Sequence, residues 1–134
     1  MKGLGRKITH HWELDVYKLS VEVAMMLFEF SKRFPREERY SLTDQMRRSS
    51  PSVSGHIAEG WRRRRYEGAF CDKLNGAEGE AAETQTWIEY AVRCAYLPRK
   101  EGRDLHRIYD RIIGKLVKMQ NNPDVWLLPR TMRR

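Results

Sequence analysis

One segment in the second half of the chain constrains the fold most, because its small and apolar side chains follow a single helical repeat for almost four heptads. Gly76 and Gly79 lie within it, and each lowers helix stability by about 1 kcal/mol relative to alanine, which close approach of a neighbouring helix would explain. We therefore predict a long helix that packs in a bundle seam. The repeat consists of Phe70, Leu74, Ala77, Ala81, Thr84, Ile88, Ala91 and Ala95.

Three further segments show the same periodicity. Apolar residues recur at helical spacing from Val16 to Phe34, with Met26 on the same predicted face, from Leu42 to Ile57 and from Leu105 to Met119. Asp15 suits the N-cap of the first helix, and Pro35 favours its termination. The predicted helices span about residues 15–34, 36–64 with a bend near Pro51, 66–97 and 102–120, followed by a basic tail over 121–134.

The number and spacing of these segments indicate the fold class. A chain of 134 residues suits one compact domain. No segment alternates between apolar and polar residues as a half-buried strand does, and the predicted connections are short. We predict a single all-α domain over residues 1–134, folded as an antiparallel up-down four-helix bundle.

Small side chains surround Pro51 in the second predicted helix. Ser49, Ser52 and Ser54 carry little volume, so they would allow another helix to approach or the backbone to bend around the proline. Ser50 and Pro51 would suit a restart of the helix. A ligand-binding cluster of hydroxyl groups is the alternative interpretation.

The charge of the chain favours a polyanionic partner. Its formal net charge is +8, with a pI of about 9.8. Six acidic residues and one base lie within residues 67–89, whereas eleven bases and four acids lie within residues 93–134. The acidic third helices of an oligomer would complement basic fourth helices of neighbouring copies. Alternatively, the basic elements form a surface for the phosphates of RNA or DNA.

Four consecutive arginines follow Gly60 and Trp61. A C-cap at Gly60, with cations at the negative end of the helix dipole, accounts for one or two of them. Four in succession point in all directions around a turn, which favours a basic surface. Trp61 and Tyr66 flank the run, either as stacking partners for bases or as core or interface residues. The candidate nucleic-acid-binding residues are Arg47, Arg48, Arg62, Arg63, Arg64, Arg65, Arg130, Arg133 and Arg134.

Other chemistry has little support in the sequence. Phosphate-binding glycine loops, an HExxH motif and a CxxC motif are all absent. Cys71 and Cys94 would lie roughly 35 Å apart along one helix, too far for a disulfide. We expect no catalytic residue, cofactor, metal site or small-molecule substrate. The absence of a long apolar segment and of a signal peptide predicts a cytoplasmic protein without a membrane partner.

Two blocks resemble a known family. "YSLTDQMRRSSPSVSGHIAEGWRRR" at residues 40–64 and "GAFCDKLNGAEGEAAETQTWIEYA" at residues 68–91 are similar to the four-helix-bundle proteins encoded in intervening sequences of bacterial 23S ribosomal RNA genes. The chain departs from the family pattern at Ser54, His56 and Trp87, and its arginine run is heavier. The matching positions are Leu42, Gln45, Arg47, Arg48, Ile57, Ala58, Glu59, Gly60, Phe70, Ala77, Gly79, Ala82, Glu83, Thr86 and Ala91.

The resemblance implies an antiparallel bundle, a homopentameric assembly and no known catalytic activity. Trp61, Trp87 and Trp126 also favour an oligomer, since they present more apolar surface than one small bundle hides. A non-catalytic, oligomeric nucleic-acid-binding protein is the first hypothesis. A protein-interaction scaffold or accessory subunit without a nucleic-acid role is the second, and binding that is insensitive to salt would distinguish it from the first.

Overall fold

The computed structural model describes residues 7–133, and this part of the chain contains four α-helices and no strand. The all-α prediction is confirmed. None of these helices is long and apolar enough to cross a membrane. We name the helices α1 (Asp15–Ser31), α2 (Leu42–Arg62), α3 (Glu67–Arg93) and α4 (Arg99–Asn121), and the short 3-10 helices are His11–Glu13, Arg36–Glu38, Pro123–Val125 and Arg130–Met132.

Consecutive helices run antiparallel. Ser20 on α1 hydrogen-bonds to Ser54 on α2 at 2.8 Å, whereas Ser31, later on α1, accepts from Arg47, earlier on α2. α1 also packs on α4, which closes the bundle. The same reversal relates α2 to α3 through Ser49–Thr84 and Glu59–Lys73, and α3 to α4 through Gln85–Asp110 and Glu78–Gln120.

The seam between α2 and α3 is the most extensive contact between helices of the bundle. A Cβ atom built on Gly76 would lie 2.6 Å from Cδ2 of His56, and one built on Gly60 would lie 3.1 Å from Cδ2 of Leu74. The close approach predicted at Gly76 is therefore present. The same prediction is wrong for Gly79, which faces open space. Gly60 is a buried packing position within α2 and not its C-cap, which is Arg63.

The serines around Pro51 serve helix packing. Ser49 and Thr84 form a buried hydroxyl pair at 2.7 Å across the α2–α3 seam, and Ser50 donates to the carbonyl of Met46. These contacts occupy the hydroxyl groups, which favours packing over a ligand-binding cluster. α2 continues through Pro51 without the predicted restart. Because Pro51 lies on the exposed side, water can reach the carbonyl that the missing amide leaves unpaired.

The core is filled by one stripe from each helix. Met26, predicted on the buried face of α1, is 41% exposed, because the stripe follows Ser20, Val23 and Leu27 instead. On α4 the structure adds Tyr109, which the pattern did not identify. The largest fully buried side chains are Val23, Leu27, Met46, Ile57, Phe70, Leu74, Ile88, Leu97, Leu105, Tyr109, Ile112 and Leu116.

The first connection is longer than the sequence predicts. α1 ends at Ser31, not near residue 34, and its N-cap is Leu14, not Asp15. α2 begins at Leu42, not at residue 36, because Arg36–Glu38 forms a separate 3-10 helix. The Glu38 carboxylate accepts hydrogen bonds from the Ser41 hydroxyl at 2.6 Å and from the Leu42 amide at 3.4 Å, so it satisfies the start of α2.

The connection between α3 and α4 also differs from its predicted bounds. α3 ends at Arg93 because Ala95 adopts a left-handed conformation with φ of 63°, and the amide of Tyr96 then donates back to the carbonyl of Ala91. Ala95 is thus an exposed turn residue and not the last member of the seam. α4 begins directly after Pro98, three residues earlier than predicted.

Replacing Ala81 with leucine tests the seam. Ala81 is fully buried, so the larger side chain should overpack the bundle and lower the free energy of unfolding by about 1 to 3 kcal/mol in urea denaturation. Ala82→Leu is the matched control, since Ala82 is exposed on the same turn of α3. Equal stabilities of the two variants would contradict the packing described for α3.

Candidate nucleic-acid interface

The arginine run lies at the end of α2, on the turn that leads into α3. Trp61 is buried at 5% exposure, Arg62 is the last residue of the helix, and Arg63 is its C-cap. α3 starts at Glu67 with Tyr66 as its N-cap. Because the chain turns within these few residues, consecutive arginines enter different surroundings.

Arg64 is held against the protein. Its guanidinium group lies 3.5 Å from the centre of the Trp61 ring, and its Nε donates to the Trp61 carbonyl at 2.8 Å. Burial lowers the pKa of Arg64, with a further contribution from the charge of Arg62. Arginine nevertheless stays protonated in proteins, so Arg64 provides a fixed cation with a structural contact.

The C-terminal segment docks on this turn. The amide of Leu128 donates to the carbonyl of Arg64 at 3.1 Å, and Arg64 Nη1 donates to the carbonyl of Trp126 at 3.4 Å. Arg65 Nη1 hydrogen-bonds to the carbonyl of Met132. Leu127 is buried, which gives the docked segment an apolar anchor. Residues 123–133 therefore have a defined position, although the sequence predicts only a basic tail there.

The docked segment brings two further arginines to the same end of the bundle. Arg130 is exposed, and Arg133 is half-buried, with Nε donating to the carbonyl of Leu128 at 2.5 Å. An ion pair of 4.0 Å links Arg133 to Asp124. Arg134, also predicted to contact nucleic acid, lies outside the described residues. We define the basic end as Arg62, Arg63, Arg64, Arg65, Arg130 and Arg133.

Within the basic end, the freely presented cations are fewer than the sequence indicates. The side chains of Arg62 and Arg63 are exposed, and no ion pair within residues 7–133 involves either of them. Arg130 is exposed in the same way. These three arginines are the best placed for phosphate, whereas Arg64 and Arg65 contact the docked segment and Arg133 forms its bonds within that segment.

Arg47 and Arg48 do not join the basic end. They lie near the start of α2, and about 1.5 Å of rise per residue places Arg47 roughly 23 Å from Arg62 along the helix. Arg47 donates to Ser31 at 2.8 Å and covers the Phe28 ring at 4.6 Å. Arg48 pairs with Asp44 at 3.9 Å. The candidate residues therefore divide between the two ends of the bundle.

The aromatic residues beside the run also differ from each other. Trp61 is buried beneath Arg64, so it is a core residue and offers no face to a base. Tyr66 is 58% exposed and remains available for stacking. Across residues 7–133, no three histidine, cysteine or acidic side chains come together in a way that would hold a metal ion.

The chain shows clear similarity to known proteins. A family model described as 23S rRNA-intervening sequence protein matches residues 12–118. A crystal structure of a protein with unknown function from the S23 ribosomal protein family of Bacteroides thetaiotaomicron VPI-5482 aligns with a TM-score of 0.71 and 26% identity. That alignment covers 79% of this chain and 95% of the other. No protein of curated function matches the chain.

Replacing Arg64 with methionine should release the docked segment. Methionine keeps an unbranched apolar side chain over Trp61 but removes the hydrogen bonds to the Trp61 and Trp126 carbonyls. The loss of charge-assisted hydrogen bonds of this kind should make amide exchange across residues 123–133 roughly tenfold faster. Hydrogen-exchange mass spectrometry measures this rate. Arg63→Met should leave the exchange unchanged. Equal protection in both variants would show that Arg64 does not hold the segment.

Proposed function

Because the chain belongs to the 23S rRNA-intervening sequence protein family, we propose that it is a non-catalytic, homo-oligomeric helical bundle that binds RNA or DNA through its basic end. The observation that carries the proposal is the docking of residues 123–133 beside the arginine run. It gathers cations from two distant parts of the chain on one small surface. A polyanion that spans this surface would contact both.

The exposure of the arginines supports phosphate binding. Among residues 7–133, Arg62 and Arg63 form no ion pair with a carboxylate that a ligand would have to displace, so a phosphate group can form charge-assisted hydrogen bonds with them directly. Such contacts position a nucleic acid without specifying its sequence. We therefore propose binding that depends on salt and has little sequence preference, with Tyr66 as a stacking platform for an unpaired base.

The proposed assembly is a homopentamer, as the family resemblance implies. The tryptophans do not support it as expected, because Trp61 is buried and Trp87 and Trp126 are half-buried within one chain. Support comes instead from α1, where Val21, Met25 and Phe28 recur at helical spacing with 36%, 54% and 38% of their surfaces exposed. A second copy of the chain would cover this apolar face, and a closed ring would repeat the basic end around its axis.

The salt dependence of binding tests the role of the basic end. Each phosphate contact contributes about 0.7 to 0.9 to the slope of log affinity against log salt, so Arg62→Gln/Arg63→Gln should reduce the slope by up to about 1.4 to 1.8. Fluorescence anisotropy with labelled RNA and DNA across a salt series measures it. These residues are preferable to Arg64 and Arg65, whose replacement would also disturb the docked segment.

Arg103→Gln/Arg107→Gln is the matched control, since it removes two exposed arginines from α4. Equal slopes in both double variants would mean that binding follows net charge alone. Binding that is insensitive to salt in the wild-type protein would instead favour a protein-interaction scaffold or accessory subunit without a nucleic-acid role.

Light scattering coupled to size exclusion tests the assembly. The wild-type protein should have a mass near five times the 16.0 kDa of one chain. Met25→Glu should reduce this mass, because it places a charge on the apolar face of α1, whereas Val117→Glu on α4 should not. A wild-type mass of one chain at micromolar concentration would exclude the oligomer.

A further inference from the structure

The opposite end of the bundle contains an open pocket, separate from the basic end. Its volume is about 470 Å³, within the usual range of about 300 to 1,000 Å³ for small-molecule sites. The connection between α1 and α2 forms one wall, and the first turn of α2 forms the other. The residues that line it are Ser31, Lys32, Phe34, Pro35, Arg36, Arg39, Tyr40, Thr43, Asp44 and Arg47.

Four cations and one acid line this pocket. Lys32 is engaged with Glu29 at 3.2 Å, and Asp44 is engaged with Arg48 at 3.9 Å. The ion pairs found within residues 7–133 do not include Arg36, Arg39 or Arg47. The nearby Glu38 carboxylate accepts hydrogen bonds from Ser41 and Tyr96, which lower its pKa. In the described part of the chain, the lining of the pocket thus carries more positive than negative charge, and three of its arginines form no ion pair.

The first turn of α2 adds neutral hydrogen-bond donors. Thr43 is 7% exposed and lines the pocket, and its hydroxyl forms no hydrogen bond within residues 7–133. The Thr43 hydroxyl is not one of the buried polar atoms that lack a partner, so solvent or a ligand in the pocket can reach it. The amides of Thr43 and Asp44 donate to no carbonyl of the preceding connection, as expected at the start of a helix. A helix N-terminus with such donors favours a negatively charged group.

We propose that this pocket binds the terminal phosphate of a nucleotide. A phosphate monoester carries a charge of about −1.5 to −2 near neutral pH, which suits three arginines without an ion pair in residues 7–133 better than the single charge of an internal phosphodiester. Arg36 and Arg39 contact its oxygens, and Thr43 donates its hydroxyl from the floor of the pocket. Tyr40 is 85% exposed at the rim, where its ring stacks on the base.

This site goes beyond the proposed function of the basic end. Thr43 and Arg62 lie on the same helix, roughly 28 Å apart by the rise of about 1.5 Å per residue. One phosphate group cannot contact both. The two sites therefore bind different ligands, or they bind different parts of one long ligand. Substitutions at one end should leave binding at the other end unchanged.

Isothermal titration calorimetry with adenosine 5′-monophosphate tests the proposal. The wild-type protein should bind it saturably with a Kd below about 1 mM, should bind inorganic phosphate more weakly, and should not bind adenosine. Arg36→Gln/Arg39→Gln should weaken binding at least about tenfold, because both exposed guanidinium groups are lost. Thr43→Val should weaken it by a smaller factor, and circular dichroism checks that each variant is folded.

Two control variants separate the proposal from general charge effects. Arg103→Gln/Arg107→Gln removes the same charge outside the pocket, and Arg62→Gln/Arg63→Gln removes it at the basic end. Both should retain wild-type affinity for adenosine 5′-monophosphate. Equal weakening in either control, or no saturable binding of the monophosphate by the wild-type protein, would overturn the proposal.

A competition experiment identifies the source of the phosphate. If a short RNA with a 5′-phosphate displaces adenosine 5′-monophosphate and the same RNA with a 5′-hydroxyl does not, the pocket holds the end of an RNA chain. If neither RNA displaces it, the ligand is a free nucleotide. Both results support a terminal-phosphate site, and displacement by both RNAs alike would contradict it, since recognition would then not depend on the terminal phosphate.

Discussion

The close approach of α2 and α3 is the contact on which the rest of the bundle depends. Small side chains line this seam, and Ala77 and Ala81 are fully buried there. The Ser49–Thr84 hydroxyl pair crosses the seam at 2.7 Å, so the polar groups that lie in it are satisfied by each other. A larger residue has no space to occupy, because protein interiors are packed as densely as organic crystals. The narrow seam thereby fixes the register in which α2 and α3 align.

This register decides where the basic residues meet. An antiparallel arrangement places the α2–α3 turn and the chain after α4 at one end of the bundle, and the α1–α2 connection at the other. Arginines that are far apart in sequence therefore collect into two groups, one at Arg62, Arg63 and Arg130 and one around Arg36 and Arg39. Each group has few carboxylate partners, which is the property that phosphate recognition requires.

Consecutive arginines are not equivalent, because a turn directs each side chain differently. Arg64 lies over Trp61 and fixes the position of the docked segment, whereas Arg62 and Arg63 face solvent. Position 64 favours a guanidinium group, because that group can lie flat on the Trp61 ring and donate hydrogen bonds to the carbonyls of Trp61 and Trp126 at the same time. A charge run therefore combines a structural residue with residues free to bind, and its contribution to binding is smaller than its length suggests.

The sequence alone determined the helical class, the four segments and the buried stripe of α3, because periodicity depends only on which residues share a helix face. Its two family-like blocks also identified the family. The sequence did not determine the ends of the helices. α2 begins where the Glu38 carboxylate accepts from the Leu42 amide, and α3 ends where the left-handed Ala95 lets the Tyr96 amide donate to the Ala91 carbonyl. No residue pattern shows these hydrogen bonds. Only the tertiary structure placed residues 123–133 on the arginine run and opened the pocket beside Thr43. Both features arise from contacts between segments distant in the chain, which no local pattern records.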